Sequence, residues 1–259
     1  MSPEQMLLKL ALVAAEGLLL FVLSRALFVW VLQALASRDQ RARGGWWVQV
    51  LRLPGNFTHE VSHALAFLIC GYTIHKLVLC LWDKQGAGVC QPGRAWSPMA
   101  LPWLATGLAA MAPLFTGALA LFAVARLLHI PLEAQVSLHD PGHTVLRSLY
   151  ATLVHLDFGA WQTWLFLYLA FSLGAELAPS RTDLVLGIPA LLATGAGTAL
   201  FLLATYQLQP HAPFRVAVLG GLAGGLTELG HLLGFALVTT AIATAITFVP
   251  AAMIRTARG

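Results

Sequence analysis

The stretch PGNFTHEVSHALAFL, Pro54 to Leu68, sets His59, Glu60 and His63 inside an apolar run, in a chain of which only 10% is charged. Ionisable groups at bilayer depth are costly, and they mark function where they occur. The surrounding composition decides whether this run belongs to a bilayer. Of 259 residues 58% are hydrophobic, and the mean hydropathy is +0.77. Soluble domains carry roughly 25% charged residues, so the chain reads as an integral membrane protein.

Outward from that stretch lie six apolar runs, at about 6–35, 46–70, 98–128, 159–178, 185–208 and 216–250. A span needs about 20 residues. The expected fold is an all-α polytopic membrane protein with about six transmembrane helices, forming one integral membrane domain over residues 1–259. Leu7–Ala36 reads as a retained span, because the pattern of a cleaved leader is not evident. The first and last runs exceed one vertical helix, so tilting, breaking or projecting is expected of them. The net charge of +4 is dispersed apart from SRDQRAR at Ser37–Arg43. It reads as membrane-surface bias, with the lipid bilayer as partner and no nucleic acid. If spans alternate, the basic residues divide evenly between the two sides, and charge sets no orientation. The expected location is a cell membrane, inner or plasma.

On a helix, residues four apart share a face. His59 and His63 therefore present two imidazoles to one ion, with Glu60 placed to act on water. This is the His-Glu-x-x-His arrangement of zinc hydrolases, and at this composition it arises by chance about once in a hundred chains. A catalytic zinc takes three protein ligands and keeps one position open, so one Zn2+ per chain is expected. The chain offers few carboxylates, five Asp and six Glu. Asp183, in ELAPSRTDLVLG, ranks first as third ligand, because the connection holding it emerges on the side where His63 lies. Glu228, in TELGHLLG beside His231, ranks second and Glu176 third.

Other features carry weaker signals. Cys80 and Cys90 can bridge a hairpin in an oxidising compartment, although three reduced thiols, with Cys70, is the simpler reading. The connection at 129–159 holds His139, Asp140 and His143 around a Pro-Gly turn, better read as a solvated turn than as a second metal site. From His143 to Phe158 apolar residues recur at helical spacing, which predicts an amphipathic helix on the membrane surface. Gly220/Gly224 and Gly221/Gly225 have the spacing of a close helix seam. Glu228 and His231, three apart, face one direction and serve either as groups behind the zinc ligands or as polar contacts to another helix.

These residues resemble the site-2 protease family of intramembrane zinc metalloproteases over about Leu53–Gly187. HEVSHALA is similar to the family's metal-binding helix, and GYTIHKLVL, from Gly71, to the segment that follows it. AMAPLFTGAL, Ala110–Leu119, is similar to the next helix, and ELAPSRTDL to the segment supplying an aspartate ligand. The resemblance implies a core at about 46–208, flanked by the N-terminal helix at 6–35 and the Gly-rich helix at 216–250. It implies a small membrane-embedded β-hairpin after the metal-binding helix, with His59, His63 and Asp183 on zinc and Glu60 as general base. The family's Gly-Pro-x-x-Asn stands here as Ala112-Pro113-Leu114-Phe115-Thr116. Its Asn-x-x-Pro…Asp-Gly stands as Glu176-Leu177-Ala178-Pro179…Asp183-Leu184. Thr116, Glu176 and Ser180 are the nearby polar residues in place of its asparagines. The implied activity is endopeptidase cleavage in or near the transmembrane segment of a membrane protein or peptide substrate. A membrane metal-binding, transport or regulatory protein that keeps the site is the alternative. A di-iron lipid oxygenase is a third class, which would need more clustered histidines.

Overall fold

The computed structural model describes residues 3–27, 46–79, 88–96, 101–130, 150–151, 154–207 and 213–256. They are mostly helical. In chain order the elements are α1 (Pro3–Ala26), α2 (Trp46–Ile69), β1 (Tyr72–Val78), β2 (Val89–Ala95), α3 (Pro102–Ala110), α4 (Ala112–Leu127), α5 (Trp161–Glu176), α6 (Arg181–Gln207) and α7 (Pro213–Thr256).

Among the described residues, four stretches are long and apolar enough to cross a membrane: Gln5–Ala26, Pro102–Leu127, Arg181–Thr205 and Ala217–Ile246. Two further runs also fold as helices. Of these, α5 has 16 residues, short of the roughly 20 a perpendicular span needs. The other, α2, is made more polar by Arg52, Asn56, His59, Glu60 and His63. Large apolar side chains such as Val185, Leu192 and Leu200 on α6 and Leu18 and Leu19 on α1 are exposed. Such extended apolar surface suits lipid rather than water.

The expected single run at 98–128 is divided. It breaks at Met111, whose N–H donates to the Leu108 carbonyl at 3.1 Å. Pro113 sits in the first turn of α4, where a missing N–H costs little. The last expected run extends to Thr256, and the later part of the first, like Cys80 and the His139–Asp140–His143 group, lies outside the described residues.

The main core joins α1, α4, α5 and α7 through Leu20, Leu114, Leu121, Phe166, Leu233 and Ile242, among others. Alternating crossings would set the first and last helices antiparallel. They instead run side by side in one direction. Lys9 Nζ donates to Thr227 Oγ1 at 2.7 Å, and Gly17 lies against Leu233 eight residues further along α1 and six along α7.

The pairing of α2 with α5 follows from two adjacent residues. Pro54 has no N–H, so the carbonyl of Val50 lacks its helical donor; Tyr168 Oη donates to it at 2.6 Å. Gly55 N–H donates to Ser172 Oγ at 2.9 Å. A Cβ at Gly55 would overlap the Ser172 carbonyl, so the two backbones touch there and α2 is held in register with α5.

Past α2 the chain turns at Gly71, whose φ of 80° suits glycine. β1 and β2 then pair antiparallel, with irregular register between Tyr72 and Lys76. Tyr72, Ile74 and Cys90 pack on Phe67 of α2 and on Ala105 and Ala109 of α3. The hairpin is thereby fixed over the histidine-bearing half of α2.

Candidate metal centre

His59, His63 and Asp183 are brought together from helices 120 residues apart in sequence, with ligand atoms all within 4.8 Å of one another. His59 Nε2 and His63 Nε2 are 3.1 Å apart. The Asp183 oxygens lie 3.9 Å from His59 Nε2 and 3.6 Å from His63 Nε2, and the three side chains are 10%, 7% and 15% exposed. Each position has a local cause.

The histidine rings are oriented by carbonyls that the helices leave free. His63 Nδ1 is 3.0 Å from the carbonyl of Ala109. The usual donor to that carbonyl is the N–H four residues on, and residue 113 is proline. His59 Nδ1 is 2.7 Å from the carbonyl of Glu176, the last residue of α5, where carbonyls have no helical partner. A carbonyl only accepts, so both rings carry their proton on Nδ1 and turn a bare Nε2 inward.

Asp183 is set by the start of α6. Asp183 N–H donates to Ser180 Oγ at 3.2 Å, and Ser180 N–H donates to Asp183 Oδ2 at 2.8 Å. This is a capping box with aspartate in the usual Glu position. One carboxylate oxygen is thereby used by the cap, and Oδ1 is the one nearer His63.

The donor set fits a metal ion. Two neutral imidazoles with facing lone pairs 3.1 Å apart repel one another unless positive charge lies between them, and the adjacent carboxylate favours that charge. Zinc with bonds of about 2.0–2.1 Å in a tetrahedron spaces its ligand atoms about 3.3 Å apart. The two histidine nitrogens, 3.1 Å apart, and Asp183 Oδ1, 3.6 Å from His63 Nε2, lie close to that spacing.

Around this group the remaining candidates separate. Glu60 is buried, and the backbone of Gly88, at the foot of β2, lies against its carboxylate and against Asn56 Nδ2. The carboxylate of Glu176 does not join the histidines: its Oε1 is 2.6 Å from Arg52 Nε. Thr116 Oγ1 hydrogen-bonds Ser62 Oγ and also lies 2.8 Å from the Ala112 carbonyl, tying α4 to α2 beside His63. Ser180 is the cap that aims Asp183. Glu228 and His231 are exposed on α7 and stand outside the metal-binding group.

Arg52, Ser172, Tyr168 and the carbonyl of Ala109 were not legible as site-forming groups. For Ala109 and Val50 a signal exists, a proline four residues on. Arg52 and Ser172 meet their partners across more than a hundred residues, and nothing local announces them. Compared with models of known families, with curated proteins and with solved structures, the chain matches none.

Proposed function

We propose that this chain is a zinc-dependent intramembrane endopeptidase of the site-2 protease type, resident in an inner or plasma membrane and cutting membrane protein or peptide substrates in or near a transmembrane segment. The observation that carries the reading is the grouping of two carbonyl-oriented histidines and Asp183 beside a buried glutamate.

His59, His63 and Asp183 would hold one zinc ion, which when bound lowers the pKa of water toward about 7 and polarises a carbonyl. The residues do the rest. His59 and His63 keep their protons on Nδ1, spent on carbonyls, so neither ring competes for the proton in transit. Glu60 accepts a proton at its carboxylate and delivers it to the departing amine. Its burial keeps bulk water from competing for that proton.

A peptide bond inside a helix is shielded, and an extended substrate is needed. Among the described residues β1 and β2 have no strand neighbour but each other, and an extended segment can add to such an edge.

The test is metal content and cleavage on detergent-purified protein. One zinc per chain is expected in wild type, Glu60→Gln and Glu228→Gln, with weaker retention in Asp183→Asn. Cleavage of a reconstituted transmembrane peptide is expected in wild type and not in Glu60→Gln. Zinc retention with no cleavage across a panel of such peptides would favour the non-peptidase alternative. No zinc after reconstitution would end the metal reading.

A further inference from the structure

Arg52 lies seven residues, two helical turns, before His59, and so on the same face of α2. Both residues reach the same partner. Arg52 Nε is 2.6 Å from Glu176 Oε1, and His59 Nδ1 is 2.7 Å from the Glu176 carbonyl oxygen. The arrangement follows from helix geometry. Side chains lean toward the helix N-terminus, whereas carbonyls point toward the C-terminus. Because α2 and α5 run in the same direction, with Val50 beside Tyr168 and Gly55 beside Ser172, the Glu176 side chain reaches back to Arg52 and its carbonyl reaches forward to His59.

Charge makes the pairing necessary. A carboxylate on the last residue of a helix faces the negative end of the helix dipole, and this one is close enough to His59 and Glu60 to influence them. The pair is largely removed from solvent, with side chains 18% and 11% exposed. A buried carboxylate stripped of its partner is strongly unfavourable, so without Arg52 it must move, and the carbonyl that orients His59 moves with it.

We infer that Arg52 and Glu176 are positioning residues for the metal centre: their ion pair fixes the end of α5 so that the Glu176 carbonyl orients the His59 ring, and it keeps the Glu176 carboxylate away from the ligand group. The inference rests on the reading of His59, His63 and Asp183 as metal ligands, and it stands whether or not the chain cleaves peptides.

The test uses cobalt(II) alone as probe on the full chain in detergent, reading affinity by competition with a chelator and ligand geometry by the visible absorption of the bound ion. Loss of a group that orients a ligand costs about 10–100-fold in metal affinity. Arg52→Met is expected near the lower end, about tenfold, with an altered cobalt spectrum. Arg52→Lys keeps the charge and should recover much of the affinity. Arg52→Met combined with Glu176→Gln should also recover, because no uncompensated carboxylate remains.

Thermal unfolding of the metal-free protein separates folding from positioning. If Arg52→Met does not fold, Arg52→Lys and the double variant carry the comparison. Affinity and spectrum unchanged in Arg52→Met overturn the inference. So does a double variant weaker than Arg52→Met. A wild type that binds no cobalt instead overturns the metal reading, and this proposal with it.

Discussion

His63 Nδ1 lies 3.0 Å from the carbonyl of Ala109, the carbonyl that Pro113 leaves without a helical donor. A break between α3 and α4 thus orients a side chain on α2. Pro113→Ala would restore an N–H able to compete for that carbonyl and would let α3 and α4 merge. Metal affinity is expected to fall by up to about tenfold, since a second donor only shares the acceptor that orients His63. Chelator competition on the purified variant reads this directly, and an affinity equal to wild type would show that His63 does not depend on the break.

The foot of β2 rests on the glutamate. A Cβ at Gly88 would lie within 2.5 Å of Glu60 Oε1 and 2.7 Å of Asn56 Nδ2, so Gly88→Ala must displace the carboxylate or the hairpin. Glu60 is not a metal ligand, and zinc content is expected to stay at the wild-type level. Cleavage is expected to drop by about tenfold to a hundredfold, the larger figure being the lower end of what general acid–base catalysis contributes. Parallel loss of zinc and cleavage would mean that the hairpin supports the ligands themselves.

Cys90 reports on the charge of the centre. Burial, then the carboxylates of Glu60 and Asp183, push its thiol up to about 11. A raised pKa depletes the thiolate, which is the species that reacts. In metal-free protein carrying Cys70→Ser and Cys80→Ser, maleimide labelling of Cys90 should be slow at pH 8 and rise about tenfold per pH unit toward pH 10, with no plateau by pH 9. Removing one negative neighbour lowers the pKa, so Glu60→Gln should shift the profile to lower pH. An identical profile in both proteins would place Cys90 out of reach of the glutamate.

Much of the local architecture was legible because it depends on short-range spacing. The four-residue interval puts His59 and His63 on one face in any helix, and the density of apolar residues marks the helical runs. The Ser180–Asp183 capping box is equally local and could be read from two residues. Less legible was the break at Met111: both sides of it are apolar, and a proline in a first turn looks like a proline within a long span. The direction of α1 relative to α7 was not legible either, since it depends on which faces meet at Thr227, Gly230 and Leu233.

By itself the sequence determined that two imidazoles and a glutamate share one helix, and it narrowed the third ligand to Asp183, Glu228 and Glu176, because helical periodicity and the scarcity of carboxylates require no knowledge of packing. Only the tertiary structure separates those three by position. It turns Asp183 toward the histidines by the cap of α6, commits Glu176 to Arg52, and leaves Glu228 exposed on α7. The tautomers were decided at the same level, because the carbonyls of Ala109 and Glu176 belong to other helices and reach His63 and His59 only once α3 and α5 are packed against α2.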